Sequence, residues 1–136
     1  MIPTFGDQSK SPTKLRKAAY AIILEDAKLA VVRGENGGYF LPGGGIDPGE
    51  VPQQALLREI QEECCKHAEI HSEIGEAIQF FSSKGHYLKM HVHVFLCSFT
   101  SAIQGKPEHT LFWMNPDEVP FFHESHRWAV NKVLKK

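Results

Sequence analysis

The sequence has too few cysteines for a disulfide framework, and they are spaced wrongly for a structural zinc. There are three: Cys64 and Cys65 are adjacent and Cys97 stands apart, which fits neither paired bridges nor a CxxC ligand pattern. Reduced thiols and a cytoplasmic location are the expectation. An excess of one charge is also missing. The 15 Lys and Arg residues oppose 16 Asp and Glu, so no global field recruits a nucleic acid polymer or an anionic membrane. No apolar run is long enough to span a bilayer, and the opening MIPTFGDQSKSPTKLRK lacks the charged-then-apolar order of a secretory signal. Repeats, low-complexity tracts and linkers are absent too. Residues 1–136 therefore read as one domain, and 42% hydrophobic residues suffice for a single core.

What is present is a mixture of strand and helix signals. Residues 1–15 are polar and rich in Ser, Pro, Gly and Lys, and read as a loose tail. RKAAYAIILEDAKLAVVRG carries two β-rich runs around a polar turn, a hairpin pattern. A short strand, YFLP, follows. GGGIDPGE, with four glycines and a proline, reads as a loop. From Val51 to Cys64 the residues Leu56, Leu57, Ile60 and Cys64 recur at helical spacing, which predicts an amphipathic helix packed on a sheet. AEIHSEIGEAIQFFS and YLKMHVHVFLCSFT predict two longer strands, the second alternating Met90, Val92 and Val94 with His91, His93 and Phe95. A loop, SAIQGKPEH, leads to a short strand, TLFWM. The closing helix, ESHRWAVNKVLKK, has Trp128, Val130 and Val133 as core candidates. The expected fold class is α/β, a mixed central sheet flanked by helices.

The chemistry concentrates at LREIQEECCK. Glu59, Glu62 and Glu63 fall within an arc of about 100° on that helix, a face expected to be separate from the apolar stripe. Like charges three and four residues apart repel, and the negative end of the helix dipole adds to the repulsion. Arg58 is a single cation against three carboxylates. A hard divalent cation such as Mg²⁺, which takes oxygen ligands and shares its sphere with phosphates, would compensate. A solvated acidic face is the plain alternative for the helix taken alone. The Gly-rich loop in front of it lets a backbone approach a ligand without Cβ atoms in the way.

Loop and helix together resemble the box of the Nudix hydrolase family, in which a glycine, a glutamate and an Arg-Glu-apolar-any-Glu-Glu run recur at fixed spacing. Gly44, Glu50, Arg58, Glu59, Ile60, Glu62 and Glu63 occupy those positions in register, and LPGG precedes them as in the family. The resemblance implies an α/β/α sandwich and hydrolysis of a nucleoside diphosphate linked to a further group, with Mg²⁺ or alternatively Mn²⁺. It implies that Glu59, Glu62 and Glu63 are metal ligands, with Glu59 doubling as base, and that the Gly43 carbonyl is a further ligand. It also implies that Glu50 and Arg58 support the site, Arg58 orienting carboxylates, and that Gly44 shapes it. Two positions depart from the pattern. Cys65 and Lys66 stand where the box has glycine and an apolar residue, and Asp47 where a glutamate is frequent.

Many family members add an acid from a late loop. Glu108 is the choice here because it precedes a late strand, with Glu73, Glu76 and Asp117 as weaker candidates. His91 and His93 share one side of a strand, and His123 and His126 sit at a helix start. For both pairs the ordinary structural histidine is the commoner reading, and a metal ligand the rarer one. Phe80, Phe81 and Tyr87 are candidates for an aromatic face against a base, or for core packing. Family markers for ADP-ribose, dinucleoside polyphosphate and coenzyme A substrates are missing. By elimination the chain is similar to the small bacterial MutT-like group, with an ordinary or oxidised (deoxy)nucleoside triphosphate as substrate. The expected partner is a small nucleotide, and a homodimer is compatible with the sequence. A non-catalytic nucleotide-sensing or partner-binding module is the competing reading, against which the box glutamates are intact.

Overall fold

Ala18 to Ile23 are six consecutive buried residues, and only a strand covered on both faces accepts such a run. That strand organises the fold. The computed structural model describes residues 1–136. In chain order its elements are β1 (Thr4–Phe5), β2 (Lys14–Glu25), β3 (Lys28–Arg33), β4 (Tyr39–Phe40), β5 (Gly43–Gly45), α1 (Pro52–Cys64), β6 (Lys66–Ser83), β7 (His86–Ala102), β8 (Leu111–Met114) and α2 (Glu124–Leu134). The sheet order is β1-β6-β7-β2-β3-β4, with β5 attached to β2 and β8 to β3. β1 runs parallel to β6 and β2 parallel to β7, while the other pairs are antiparallel.

Each face of the sheet carries its own apolar cluster. Tyr20, Ile22, Met90, Val92 and Val94 pack with Ala129 and Val130 of α2. Ala19, Ala21, Ile23, Phe95 and Cys97 pack with Leu56 and Ile60 of α1. The result is a mixed sheet between two helices, the expected α/β/α layering. No helix is long and apolar enough to cross a membrane.

The N-terminal segment differs from the expected loose tail. Thr4 and Phe5 pair with Ile78 and Gln79, and the Ile78 amide donates to Pro3 O at 2.9 Å. Gly6 makes this edge possible, because with φ +88° an added Cβ would lie 2.2 Å from Phe80 O. Further on, the Thr13 amide donates to Tyr87 O at 2.8 Å and leads directly into β2. Residues Lys14 and Leu15 accordingly belong to the sheet.

The glycine run is likewise not all loop. Gly43, Gly44 and Gly45 form β5, paired with Tyr20, Ala19 and Ala18. Gly43 lies so close to β2 that a Cβ there would stand 2.1 Å from Ala19 O. The irregular part begins at Ile46. Pro52 then opens α1 at a position that needs no amide hydrogen bond, and the Gln54 carboxamide oxygen accepts the Val51 amide at 3.0 Å.

Candidate active site

Helix α1 presents its last two turns to β5. The four acidic side chains of the motif separate there into different environments. Glu63 is only 5% exposed, and its Oε1 accepts the Gly43 amide at 2.8 Å. This corrects the expected acidic face. Glu63 follows Leu56 by seven residues, two turns that bring it nearly into line with the apolar stripe. Glu59 leans over Gly44: a Cβ at residue 44 would sit 2.6 Å from Glu59 Oε2. Glu62 stands further out, its side chain 44% exposed.

Arg58 binds this group from one side. Its Nε and Nη2 donate to the two oxygens of Glu50 at 2.9 and 2.8 Å, Nη1 to Glu59 at 2.9 Å, and Nη2 to the Gly45 carbonyl at 3.0 Å. Glu62 and Asp47 are each 3.4 Å from the guanidinium. The hydrogen bonds from Arg58 hold Glu50 at a pKa of about 2. Glu50 and Arg58 thus form a fixed frame, and Asp47 reinforces it.

The late loop completes the enclosure. The amides of Glu108 and His109 donate to the carbonyls of Glu62 and Glu63 at 3.2 and 3.3 Å, which satisfies carbonyls the helix end leaves open. Glu108 therefore reaches the same cleft as Glu59 and Glu63, whereas the weaker candidates do not. Asp117 pairs with Lys136 at 2.8 Å, and Glu76 pairs with His91 at 2.7 Å. His109 was not foreseen. Its Nδ1 lies 2.9 Å from Glu63 Oε2, a contact created by the loop's backbone bonding and carried by no sequence spacing.

Burial is the largest cause pushing Glu63 up to about pKa 8, with Glu59, Glu108 and Glu62 adding repulsion against the donated Gly43 hydrogen bond. Glu59 is raised as well, again chiefly by burial. Carboxylates that cannot all hold charge unaided form a hard-oxygen donor set, and the residues present fit a divalent cation of the Mg²⁺ type. Gly43 touches the acidic helix through its amide, a contact separate from the expected role of its carbonyl.

Cys65 ends α1 in the left-handed conformation, φ 51° and ψ 48°, with its amide donating to Gln61 O at 3.0 Å. The turn that a glycine usually makes is therefore made by a residue with a side chain, at a strain of about 1 kcal/mol.

The cleft in front of these acids has a volume of about 810 Å³, ample for a nucleotide-sized ligand. Gly43 to Gly45 form its floor. The cleft is also lined by the cations Arg16, beside Gly45, and Lys84, and by Phe40, Phe122 and Asn36. The aromatic end was expected from other residues. Phe80 and Tyr87 stack on each other with ring centroids 6.1 Å apart, outside the cleft, and only Phe81 joins Phe122, in an adjoining pocket. His123 and His126 are core residues among these rings, and the Leu41 amide donates to His126 Nδ1 at 3.2 Å. Outside the cleft, on β6 and β7, Glu76, His91 and His93 are the group whose ligand atoms already lie within 4.8 Å of one another.

Gly44→Ala isolates the contact under Glu59. Residue 44 carries no left-handed backbone requirement, so the fold should survive while the carboxylate is displaced. Steady-state kinetics should show kcat reduced by about 10²-fold, the scale expected for a shift of about 1 Å, with the melting temperature little changed.

Fold and site together define a hydrolase of phosphate-containing compounds. A profile of the NUDIX domain matches residues 14–135, and the chain belongs to the NUDIX family. It is 32% identical over 120 residues to an RNA pyrophosphohydrolase of Erythrobacter litoralis (strain HTCC2594), covering 71% of this chain and 73% of that protein. It is 30% identical over 113 residues to a putative 8-oxo-dGTP diphosphatase of Bacillus subtilis (strain 168), covering 78% and 70%. Among solved structures, the E. coli ORF135 protein superposes with a TM-score of 0.70 at 23% identity over 90% of both chains. A NUDIX hydrolase from Nitrosomonas europaea superposes with a TM-score of 0.73 at 20% identity over 88% of both. These two likenesses establish the shared fold.

Proposed function

We propose that the protein hydrolyses the diphosphate linkage of a nucleoside diphosphate derivative, a (deoxy)nucleoside triphosphate or oxidised nucleotide, by water attack on phosphorus. The observation that carries this reading is one cleft lined by Glu59, Glu63 and Glu108, by the glycines of β5, and by the cations Arg16 and Lys84 and the rings of Phe40 and Phe122. Such a lining offers each part of a nucleotide a chemically suited partner. A bound Mg²⁺, or Mn²⁺ in its place, would supply charge neutralisation at the phosphoryl oxygens and a more acidic water. Glu59, Glu63 and Glu108 would hold it, with Glu62 closing from the rim.

The chain's own groups do the rest. Arg58 fixes the Glu59 carboxylate so that one oxygen can accept a proton from the attacking water. Arg16 and Lys84 are placed to receive phosphate charge, and Phe40 and Phe122, packed together with centroids 5.4 Å apart, to offer an apolar surface to a base.

The two curated relatives suggest what to compare. 8-oxo-dGTP, the ordinary nucleoside triphosphates, ADP-ribose, dinucleoside polyphosphates and a 5′-triphosphorylated RNA should be assayed with Mg²⁺ and with chelator. Release of pyrophosphate or phosphate from a free nucleotide, abolished by the chelator, is the expected result. A strong preference for the RNA would move the substrate assignment, and no turnover of any compound would favour the non-catalytic reading.

A further inference from the structure

Three potential metal ligands meet on the long β6–β7 hairpin. His91 and His93 project from the α1 side of β7, the face opposite Met90 and Val92. Their rings stack with centroids 4.7 Å apart and an interplanar angle of 8°. Glu76 faces them from β6, directly opposite His93. Its Oε1 is 2.7 Å from His91 Nε2 and 3.8 Å from His93 Nδ1, and one ligand atom from each residue lies within 4.8 Å of the others. A register shift between Glu73 and Gly75 comes just before Glu76, and bulges of this kind re-aim the side chains that follow them.

An ordinary ion pair would use one imidazole. Here a second, parallel imidazole turns a nitrogen toward the same carboxylate oxygen at a distance too long for a hydrogen bond. One carboxylate oxygen flanked by two ring nitrogens is the arrangement that a shared cation accounts for. We propose that Glu76, His91 and His93 bind one borderline transition-metal dication of the Zn²⁺ class, with a remaining position open to water.

The donor set separates this site from the acidic cleft. Two nitrogens and one oxygen suit Zn²⁺, whereas all-carboxylate surroundings suit Mg²⁺. A tetrahedral Zn²⁺ with ligand bonds of about 2.0–2.1 Å needs ligand atoms about 3.4 Å apart. The 2.7 and 3.8 Å separations bracket that value, so small side-chain rotations with displacement of the bridging proton are enough. All three side chains are partly exposed, at 19 to 35%, so an ion can enter from solvent. Lys17 is paired opposite His91 and is the one nearby cation working against the site. A bound ion would cross-link β6 to β7 in the middle of the sheet's longest pairing.

Chelator-stripped full-length protein, in excess Mg²⁺ to occupy the carboxylate cleft, should be titrated with Zn²⁺ against a chromogenic competitor. One equivalent per chain is expected, and Co²⁺ in its place should give the visible absorption of a tetrahedral nitrogen and oxygen set. His91→Ala and His93→Ala should weaken Zn²⁺ by about 100-fold or more, and Glu59→Gln should leave it unchanged. If His93→Ala melts early, His91→Ala and Glu76→Gln, at more exposed positions, decide the matter with the Co²⁺ spectrum. Zn²⁺ affinity untouched by these substitutions, lost in Glu59→Gln, or spread weakly over several equivalents overturns the site.

Discussion

Glu59→Gln should reduce kcat on the preferred nucleotide by about 10²–10⁴-fold, the range for loss of a positioned general base, while the protein folds normally. The substitution keeps the shape of the side chain and an oxygen able to accept from Arg58 while removing the charge and the basic oxygen. Only a partly exposed ion pair with Arg58, at 2.9 Å, is given up, worth about 0–1 kcal/mol, so the melting temperature should move little. The discriminating measurement is the rate at saturating substrate and Mg²⁺. A Glu59→Gln rate within tenfold of wild type would remove Glu59 from the chemistry and leave it a spacer above Gly44.

The second large effect concerns stability without metal. Glu63 titrates near pKa 8 in the fold against an ordinary value of 4.5. The folded state therefore keeps a proton that the unfolded chain releases, and this contribution is fully present below pH 4.5 and lost as pH rises through 8. Stripped of divalent ions, the protein should weaken by on the order of 1–2 kcal/mol between pH 6.5 and 8, and Glu59, shifted the same way, adds to the trend. That window avoids the buried His123 and His126, whose lowered values act in the opposite sense below pH 6.5. Saturating Mg²⁺ holds the carboxylate deprotonated, so neither the folded nor the unfolded chain carries that proton and the decline over the same interval should flatten. Urea melts at several pH values, with and without chelator, measure both slopes. A Glu63→Gln protein with the same metal-free slope as wild type would show that another group is responsible.

The parts of the site that lie close together in sequence could be read from spacing. Gly44, Glu50, Arg58 and the helix acids are held by one loop and one helix, so their order along the chain is also their order in space. Glu108 was legible only as a position before a strand. The bonds that deliver it join its amide to the end of α1 across 46 residues of sequence, and His109 arrives by the same route with no pattern of its own. Glu63 was misplaced because the acids were grouped with one another when the seven-residue interval to Leu56 should have decided. β1 escaped notice because two residues show no periodicity, and β5 because glycine gives no side-chain signal. Its strand character comes from the small partners Ala18 and Ala19 on β2.

One residue in the late loop blocks one of the two one-place slips open to the segment. The carbonyls of Glu62 and Glu63 take the amides of Glu108 and His109 in that order. Sliding the loop forward by one place would require Pro107 to donate to Glu62, and proline has no amide hydrogen to give. Pro107 thus acts as a frame marker for the segment: the shifted alignment, which would carry the carboxylate of Glu108 one step along the helix end, forfeits a bond, and the chemically useful alignment keeps both.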